Sequence, residues 1–463
     1  MHQYITELSK YGIAGGMVLY TIALFCSFFL GEKKKTALYI FQCALIFLIQ
    51  LMCFVDLAVV SGDMDYVFFY VFVQVFLLAA AVMVPMIYVD VERTLLSGMC
   101  MLTGIGLCVI SRLSFNKAVR QYIIVLISLI IALLIPYLMS RIKFLKKLTW
   151  GYGLLGVVML SAVLVWSQVT YGSKLSFTIS FTLGQVTFQP SEFVKVLFVF
   201  FLAGILWENA SFGRVVLSAI VAGMHVIILV LSRDLGSAVI FFVGYVFVVF
   251  AATSNYLYLL LGAVGGAGAS YVAYQIFAHV RERVLAWKDP WTYIDSKGYN
   301  VTQSLFAIGS GSWFGMGLLQ GNPGDIPNVM EDFIFSSVSE ELGVISGVCV
   351  ILVTVCMFFM MLKIACWVHD RFYQLIVYGI SIMYIFQIFL TIGGGTKLIP
   401  LTGVTLPLIS YGGSSVMTTM IMFFIVQGIY IRLQQGGGRR DGSRTKPEKR
   451  KTAGKAKRAS KED

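Results

Sequence analysis

Runs of about twenty apolar residues recur from end to end of the chain, separated by short polar clusters. Each run is long enough to cross the roughly 30 Å hydrocarbon core of a bilayer as a helix rising about 1.5 Å per residue. Thirteen such spans are predicted, near Ile13–Leu30, Ala37–Val60, Tyr66–Val89, Thr94–Ile110, Tyr122–Met139, Trp150–Val169, Pro190–Trp207, Arg214–Leu231, Gly236–Thr253, Tyr256–Phe277, Leu342–Cys366, Phe372–Ile392 and Ser415–Ile431. The period-two alternation of a membrane β-barrel is missing from the pattern, so the spans are read as helices. The expected fold is all-α: a polytopic membrane protein of about thirteen transmembrane helices, with one large connection from about Ala278 to Glu341.

Composition reinforces the pattern. The chain is 58% hydrophobic and 13% charged, against the roughly 25% charged residues of soluble domains. All eight cysteines lie inside apolar runs without CxxC spacing and read as small hydrophobes, which argues against a disulfide framework or a zinc site. The four histidines (His2, His225, His279, His369) are scattered and outline no metal site. The first apolar run lacks a basic leader and a small-residue cleavage site, so no removed signal peptide is expected.

Charge sets the orientation. Of the formal +12, the segment 439–463 carries +7, with eleven Lys/Arg against four Asp/Glu. Rich also in Gly and Ser, it is expected to be a disordered tail. One reading is attraction to anionic lipid, worth about 1 kcal/mol per basic residue near the surface, and the other is a solvated tail that only fixes orientation. Nucleic-acid binding is not expected of a tail without aromatic residues. The positive-inside rule puts this tail in the cytoplasm, and an odd span count puts the N-terminus outside. The basic clusters Glu32–Lys35 and Ser140–Lys147 then fall inside as expected, whereas Ser111–Gln121, with Arg112, Lys117 and Arg120, falls outside. Those cations fit a grip on an anion, or the count is off by one.

The stretch Gln303–Gly343 is where chemistry is expected. It is long, glycine-rich and polar, yet carries aromatic and apolar residues that a disordered linker avoids, and it holds Asp325, Glu331 and Asp332 at a predicted membrane–water boundary. Its GSGSWFGMG lacks the GK[ST] ending of a phosphate loop, so the glycines are read as turn formers. In LTGVTLPLISYGGSS, Pro400 as its flank, Pro407 and Gly412-Gly413 interrupt a helix at membrane depth. Such backbone is tolerated only where it is buried in protein or lines a cavity.

Four motifs in order, QPSEFVK (Gln189–Lys195), RDLGSA (Arg233–Ala238), the segment Trp287–Gly343 and IPLTGVTLPLISYGGSS (Ile399–Ser415), resemble those of the SEDS family of shape, elongation, division and sporulation proteins, RodA, FtsW and SpoVE. The resemblance runs from about Thr94 to Leu433, and the family's ten-helix core matches the last ten predicted spans. Three regions follow: extra N-terminal helices over 1–90, a SEDS-like core over 91–433 and a basic tail over 434–463. Arg112 and Gln121 resemble the Arg and Gln after the family's first helix. The resemblance implies a peptidoglycan glycosyltransferase of the bacterial cell membrane that polymerises lipid II at the outer face. It also implies a class B penicillin-binding protein as crosslinking partner. The family's candidate catalytic aspartate, in TDFIF, corresponds to Asp332 in EDFIF. Where the family commonly has Pro-Glu and then Thr-Asp, this chain has Pro327-Asn328 and Glu331-Asp332.

Glycan extension needs a base for the acceptor hydroxyl, and a carboxylate at an apolar boundary can have its pKa raised into a useful range. Asp332 is the residue expected in that role. Glu340 and Glu341, just ahead of a span, read as partners of a helix dipole. The leaving diphosphate needs positive charge, supplied by Lys or Arg or through a bound divalent cation. Candidates for substrate contact are Arg112, Glu192, Lys195, Arg233 and Lys397, with Asp234 a possible mate for Arg233. Glu192 and Lys195, three apart on a helix, equally suit a structural pair. Two readings of other classes stand beside the enzyme: a lipid II flippase or other transporter, and a non-catalytic scaffold for a transpeptidase.

Overall fold

The computed structural model describes residues 2–30, 32–142, 144–171, 179–181 and 186–437. Helices α1 (His2–Cys26), α2 (Glu32–Ser61) and α3 (Asp65–Ile87) come first. Then follow α4 (Arg93–Leu113), α5 (Phe115–Arg141), α6 (Thr149–Tyr171), α7 (Pro190–Leu206), α8 (Phe212–Leu231), α9 (Leu235–Thr253) and α10 (Tyr256–Ile276). Shorter helices α11 (Ala278–Lys288), α12 (Tyr299–Ser310) and α13 (Ile334–Glu341) precede α14 (Gly343–Trp367), α15 (Arg371–Gly395) and α16 (Gly413–Gly437). Between α6 and α7 a small antiparallel hairpin pairs β1 (Ile179–Phe181) with β2 (Val186–Phe188), Ile179 opposite Phe188.

Among the described residues twelve helices are long and apolar enough to cross a membrane. The remaining predicted span, Pro190–Trp207, is α7. It begins on a proline at its first position, where the missing N–H is no loss, and has 17 residues, about 25 Å at 1.5 Å per residue. The predicted fourth span, among the shortest, is α4, and every residue of its apolar window is buried. It threads the molecule, packed by α2, α3, α5 and α14. Small residues permit this: a Cβ on Gly106 would sit 2.7 Å from the Leu408 carbonyl.

Two connections differ from expectation. The predicted outer loop Ser111–Gln121 is helical apart from Ser114: α4 ends at Leu113 and α5 starts at Phe115, so Arg112, Lys117 and Arg120 ride on helix ends. The helices continue past their apolar stretches because backbone bonding does not stop where the membrane does, which hydropathy alone misses. Likewise the connection 278–341 is not a plain loop but carries α11, α12 and α13. The start of α1 lies against it, with the Tyr11 ring 4.9 Å from that of Phe314. At the other end of the bundle Lys363 of α14 donates to the Phe28 carbonyl. The basic segment 439–463, and any lipid contact it makes, lies outside the described residues.

Candidate active site

α11 leaves the end of α10 after Phe277 and carries Arg283 toward the irregular segment between α15 and α16. There the Arg283 guanidinium donates to the carbonyls of Leu401 (3.1 Å) and Thr402 (2.8 Å), backbone groups outside helical bonding because α15 ends at Gly395 and Pro400 cannot resume it. On the same helix face, four residues on, Trp287 Nε1 donates to the Lys397 carbonyl at 3.0 Å. Arg283 and the Asp332 carboxylate meet over Gly403: a Cβ there would lie 3.7 Å from both Arg283 Nη2 and Asp332 Oδ2. Gly403 also has φ +75°, a backbone conformation that a side chain disfavours. The two charged groups thus face one another across a space that the absent side chain leaves open, without a direct ion pair.

Asp332 is held firmly from behind. Its N–H donates to the Asn328 carbonyl (3.1 Å), and Phe333 beside it is buried with Ala307, Ile326 and Val329 in a small apolar cluster. Tyr411 N–H donates to the Met330 carbonyl (2.8 Å) and Ser410 Oγ to the Glu331 carbonyl (2.6 Å). Gln121 then clamps the turn ahead of α16, its amide donating to the Ser410 carbonyl (3.2 Å) and accepting from Gly412 N–H (3.4 Å). Burial lifts the Asp332 carboxyl from the ordinary 3.8 to about 6; Glu331 pushes it the same way and Arg283 pulls it down.

Beside this pair a cavity of about 260 Å³ is lined by His279, Glu282, Arg283, Trp287, Lys297 and Leu401, among others. Glu282 is neutralised by Lys297 at 2.8 Å. His279 Nε2 is buried without a protein partner, and burial together with Arg283 and Arg233 holds its pKa below the ordinary imidazole value. At neutral pH the wall is therefore a neutral imidazole with cationic surroundings, suited to a phosphate-bearing ligand. Among the described residues no three His, Cys, Asp or Glu side chains converge to hold a metal. The positive charge that the chain offers here is carried by its own side chains.

The structure separates the residues singled out from the sequence. Asp332 borders the site. Arg233, exposed and with φ +63°, lies at its edge near His279. Asp234 does not pair with it: its carboxylate accepts from Ser191 Oγ (2.9 Å) and, capping α9, from Ser237 N–H (3.0 Å). Lys397 is close enough to draw down the pKa of Asp289. Glu192 and Lys195 are 2.7 Å apart and nearly inaccessible, and Lys195 also donates to Gln387 Oε1 (2.6 Å), whose amide donates to the Thr405 carbonyl (3.0 Å). Arg112 donates to Glu341 Oε1 (2.6 Å) and the Gly321 carbonyl (2.7 Å). Glu341 thus pairs with Arg112; as expected it and Glu340 stand just ahead of a span, at the end of α13 and before α14. Burial raises the Glu341 pKa to about 7 against the pull of Arg112.

Sequence reasoning missed Arg283, His279 and Trp287. A signal was available for two of them, since Arg283 and Trp287 are four apart on α11 and share a face. Their destination, freed carbonyls more than a hundred residues downstream, has no local trace.

Comparison with known proteins agrees with this architecture. The profile of the family FtsW/RodA/SpoVE, described as cell cycle protein, matches residues 93–435. The peptidoglycan glycosyltransferase RodA of Mycobacterium tuberculosis is 30% identical over 364 residues, covering 73% of this chain and 77% of that protein. Stage V sporulation protein E of Bacillus subtilis is 34% identical over 248 residues, 52% of this chain and 67% of its own. A chain from a solved peptidoglycan synthase complex that coordinates polymerization and crosslinking shares the fold, with a TM-score of 0.61 at 24% identity over 74% of this chain and 99% of that one. The family match takes in α4 to α16, the site included, and leaves α1 to α3 outside it. The chain belongs to the SEDS family of membrane proteins, that of FtsW, RodA and SpoVE.

Proposed function

We propose that this protein is a peptidoglycan glycosyltransferase that polymerises lipid II, with Asp332 as general base. The observation that carries the reading is the Asp332–Arg283 pair across Gly403: a carboxylate tuned to about 6 facing a cation beside a cavity. At neutral pH the carboxylate is ionised yet basic enough to take a hydroxyl proton. The acceptor 4-oxygen bonds to the anomeric carbon of the donor, its proton passes to Asp332, and the bond from that carbon to the diphosphate oxygen breaks with its electron pair. A single displacement of this kind inverts the anomeric centre. Arg283, with Arg233 and Lys397 at the rim, offsets the charge that gathers on the departing diphosphate. Arg112 and the Glu192–Lys195 pair act at one remove, holding the segments that frame the site.

The domain division follows the family match, with 1–90 as an added module, 91–433 as the catalytic core and 434–463 as a basic tail. Thirteen crossings, α7 among them, place Met1 and the α11–α13 segment outside and the tail in the cytoplasm. A class B penicillin-binding protein is the proposed partner, in keeping with the complex whose chain shares this fold. Incubating the purified protein with lipid II in detergent tests the class of activity. Glycan polymer is the expected product, and a flippase or a scaffold makes none.

A further inference from the structure

The first of the three helices ahead of the family core reaches its outer segment. Thr6 near the start of α1 has its Cγ2 2.7 Å from where a Gly317 Cβ would stand, and Tyr11 one turn on packs its ring on Phe314. Segment 312–317 is in turn stitched by backbone to the start of α14 and the end of α13. Val344 and Ile345 N–H donate to the Ser312 and Trp313 carbonyls (3.0 and 3.1 Å), and Met316 and Gly317 N–H donate to those of Glu340 and Glu341 (2.9 and 3.0 Å). From Glu341 the eight-residue α13, about 12 Å long, leads back to Phe333 and Asp332.

Beside the apolar packing of Ile13, Met17, Tyr20 and Leu24, a polar tie joins α1 to α2 next to this contact. Ser9 Oγ lies 3.0 Å from the Thr6 carbonyl and donates to the carboxylate of Asp56 on α2. Asp56 is 1% exposed and its second oxygen, Oδ1, has no protein partner. Ordinary helix packing needs no carboxylate at such a depth, where an incompletely paired one is costly. The tie sits three residues from Thr6 and two from Tyr11, where a fixed angle between α1 and α2 matters most.

We propose that α1, tied to α2, forms a brace on the catalytic segment, with Ser9 and Asp56 as positioning residues that hold Thr6 and Tyr11 against Phe314–Gly317. Through that contact they fix α13 and the setting of Asp332. The inference rests on Asp332 as the base. Loosening the brace leaves the cavity beside α11 and the local anchors of Asp332 in place but lets α13 shift, which moves the carboxylate relative to the acceptor oxygen, so turnover falls while substrate affinity holds.

The test uses the full-length purified protein with lipid II as substrate. Ser9→Ala, Asp56→Ala and the half-exposed Tyr11→Ala are each expected to lower kcat about tenfold, with KM within about twofold of the parent. Asp56→Asn keeps an oxygen for the Ser9 hydroxyl and is expected to retain most of kcat. If Asp56→Ala does not fold, Ser9→Ala and Tyr11→Ala carry the test. Parental kcat in those two, beside an inactive Asp332→Asn, would overturn the brace and leave the base in place. Parental polymerisation by Asp332→Asn would overturn both.

Discussion

Replacing Arg283 by glutamine probes the electrostatics of the site at its centre. Arg283 Nη2 and Asp332 Oδ2 each lie 3.7 Å from the missing Gly403 Cβ, so they are no more than about 7.4 Å apart. Two unit charges at about 7 Å interact by about 2.4 kcal/mol at an effective dielectric constant of about 20. Since one pH unit corresponds to about 1.36 kcal/mol, and solvent at this half-open site screens part of the interaction, losing the cation raises the Asp332 pKa by about 1 to 2. As the proposed base Asp332 works as a carboxylate, so activity is expected above its pKa and lost as the pH falls through it. The acid limb of kcat/KM for lipid II polymerisation, expected near 6 in the parent, moves to about 7 to 8 in Arg283→Gln. A second loss does not depend on pH: the transition state forfeits a cation beside the diphosphate, worth about 10²–10³-fold. Initial rates between about pH 5 and pH 9 separate the two. An unmoved acid limb in Arg283→Gln would refute the coupling of Arg283 to the titrating base.

Gly403→Ala puts a methyl between these groups and strains a φ of +75°, at a cost of about 1–2 kcal/mol. We expect at least a tenfold lower kcat and a melting point lower by a few degrees, read by lipid II turnover and thermal unfolding in detergent. Lys195→Met strands the buried Glu192 and costs about 3–5 kcal/mol, so folded protein is lost; the double variant with Glu192→Leu is expected to recover it by size-exclusion yield. Thirteen crossings predict that a tag at Met1 is reached by membrane-impermeant reagents on intact cells while a reporter after Asp463 is cytoplasmic. Both ends on one side would contradict them.

The membrane-helix framework was legible because hydrophobic length is a direct consequence of bilayer thickness, and the spans predicted for α2, α3 and α8 to α10 lie within a few residues of the helices. Ends were less legible: Arg112, Lys117 and Arg120 looked like a loop because charge interrupts hydropathy, although it does not interrupt backbone hydrogen bonding. The irregular chain after Pro400 was readable from its prolines and glycines, and it does wall the cavity through Leu401. Asp332 emerged through a motif. Its partner Arg283 did not, since their meeting depends on how the segment after α15 folds back under α11. The brace proposed for α1 was equally closed to sequence, because the Ser9–Asp56 tie joins residues in separate helices whose spacing carries no pattern.

We propose that the Asp332 carboxylate takes the acceptor proton. Lipid II polymerisation by purified Asp332→Asn, side by side with the parent and Glu331→Gln, tests it most directly. Asparagine keeps the shape but cannot accept that proton at neutral pH, and general-base catalysis is worth about 10²–10⁴-fold. We predict a loss of that order in Asp332→Asn at normal expression and membrane insertion, with a much smaller change in Glu331→Gln. Glycan made by Asp332→Asn near the parental rate, or a dead Glu331→Gln beside an active Asp332→Asn, would contradict the account.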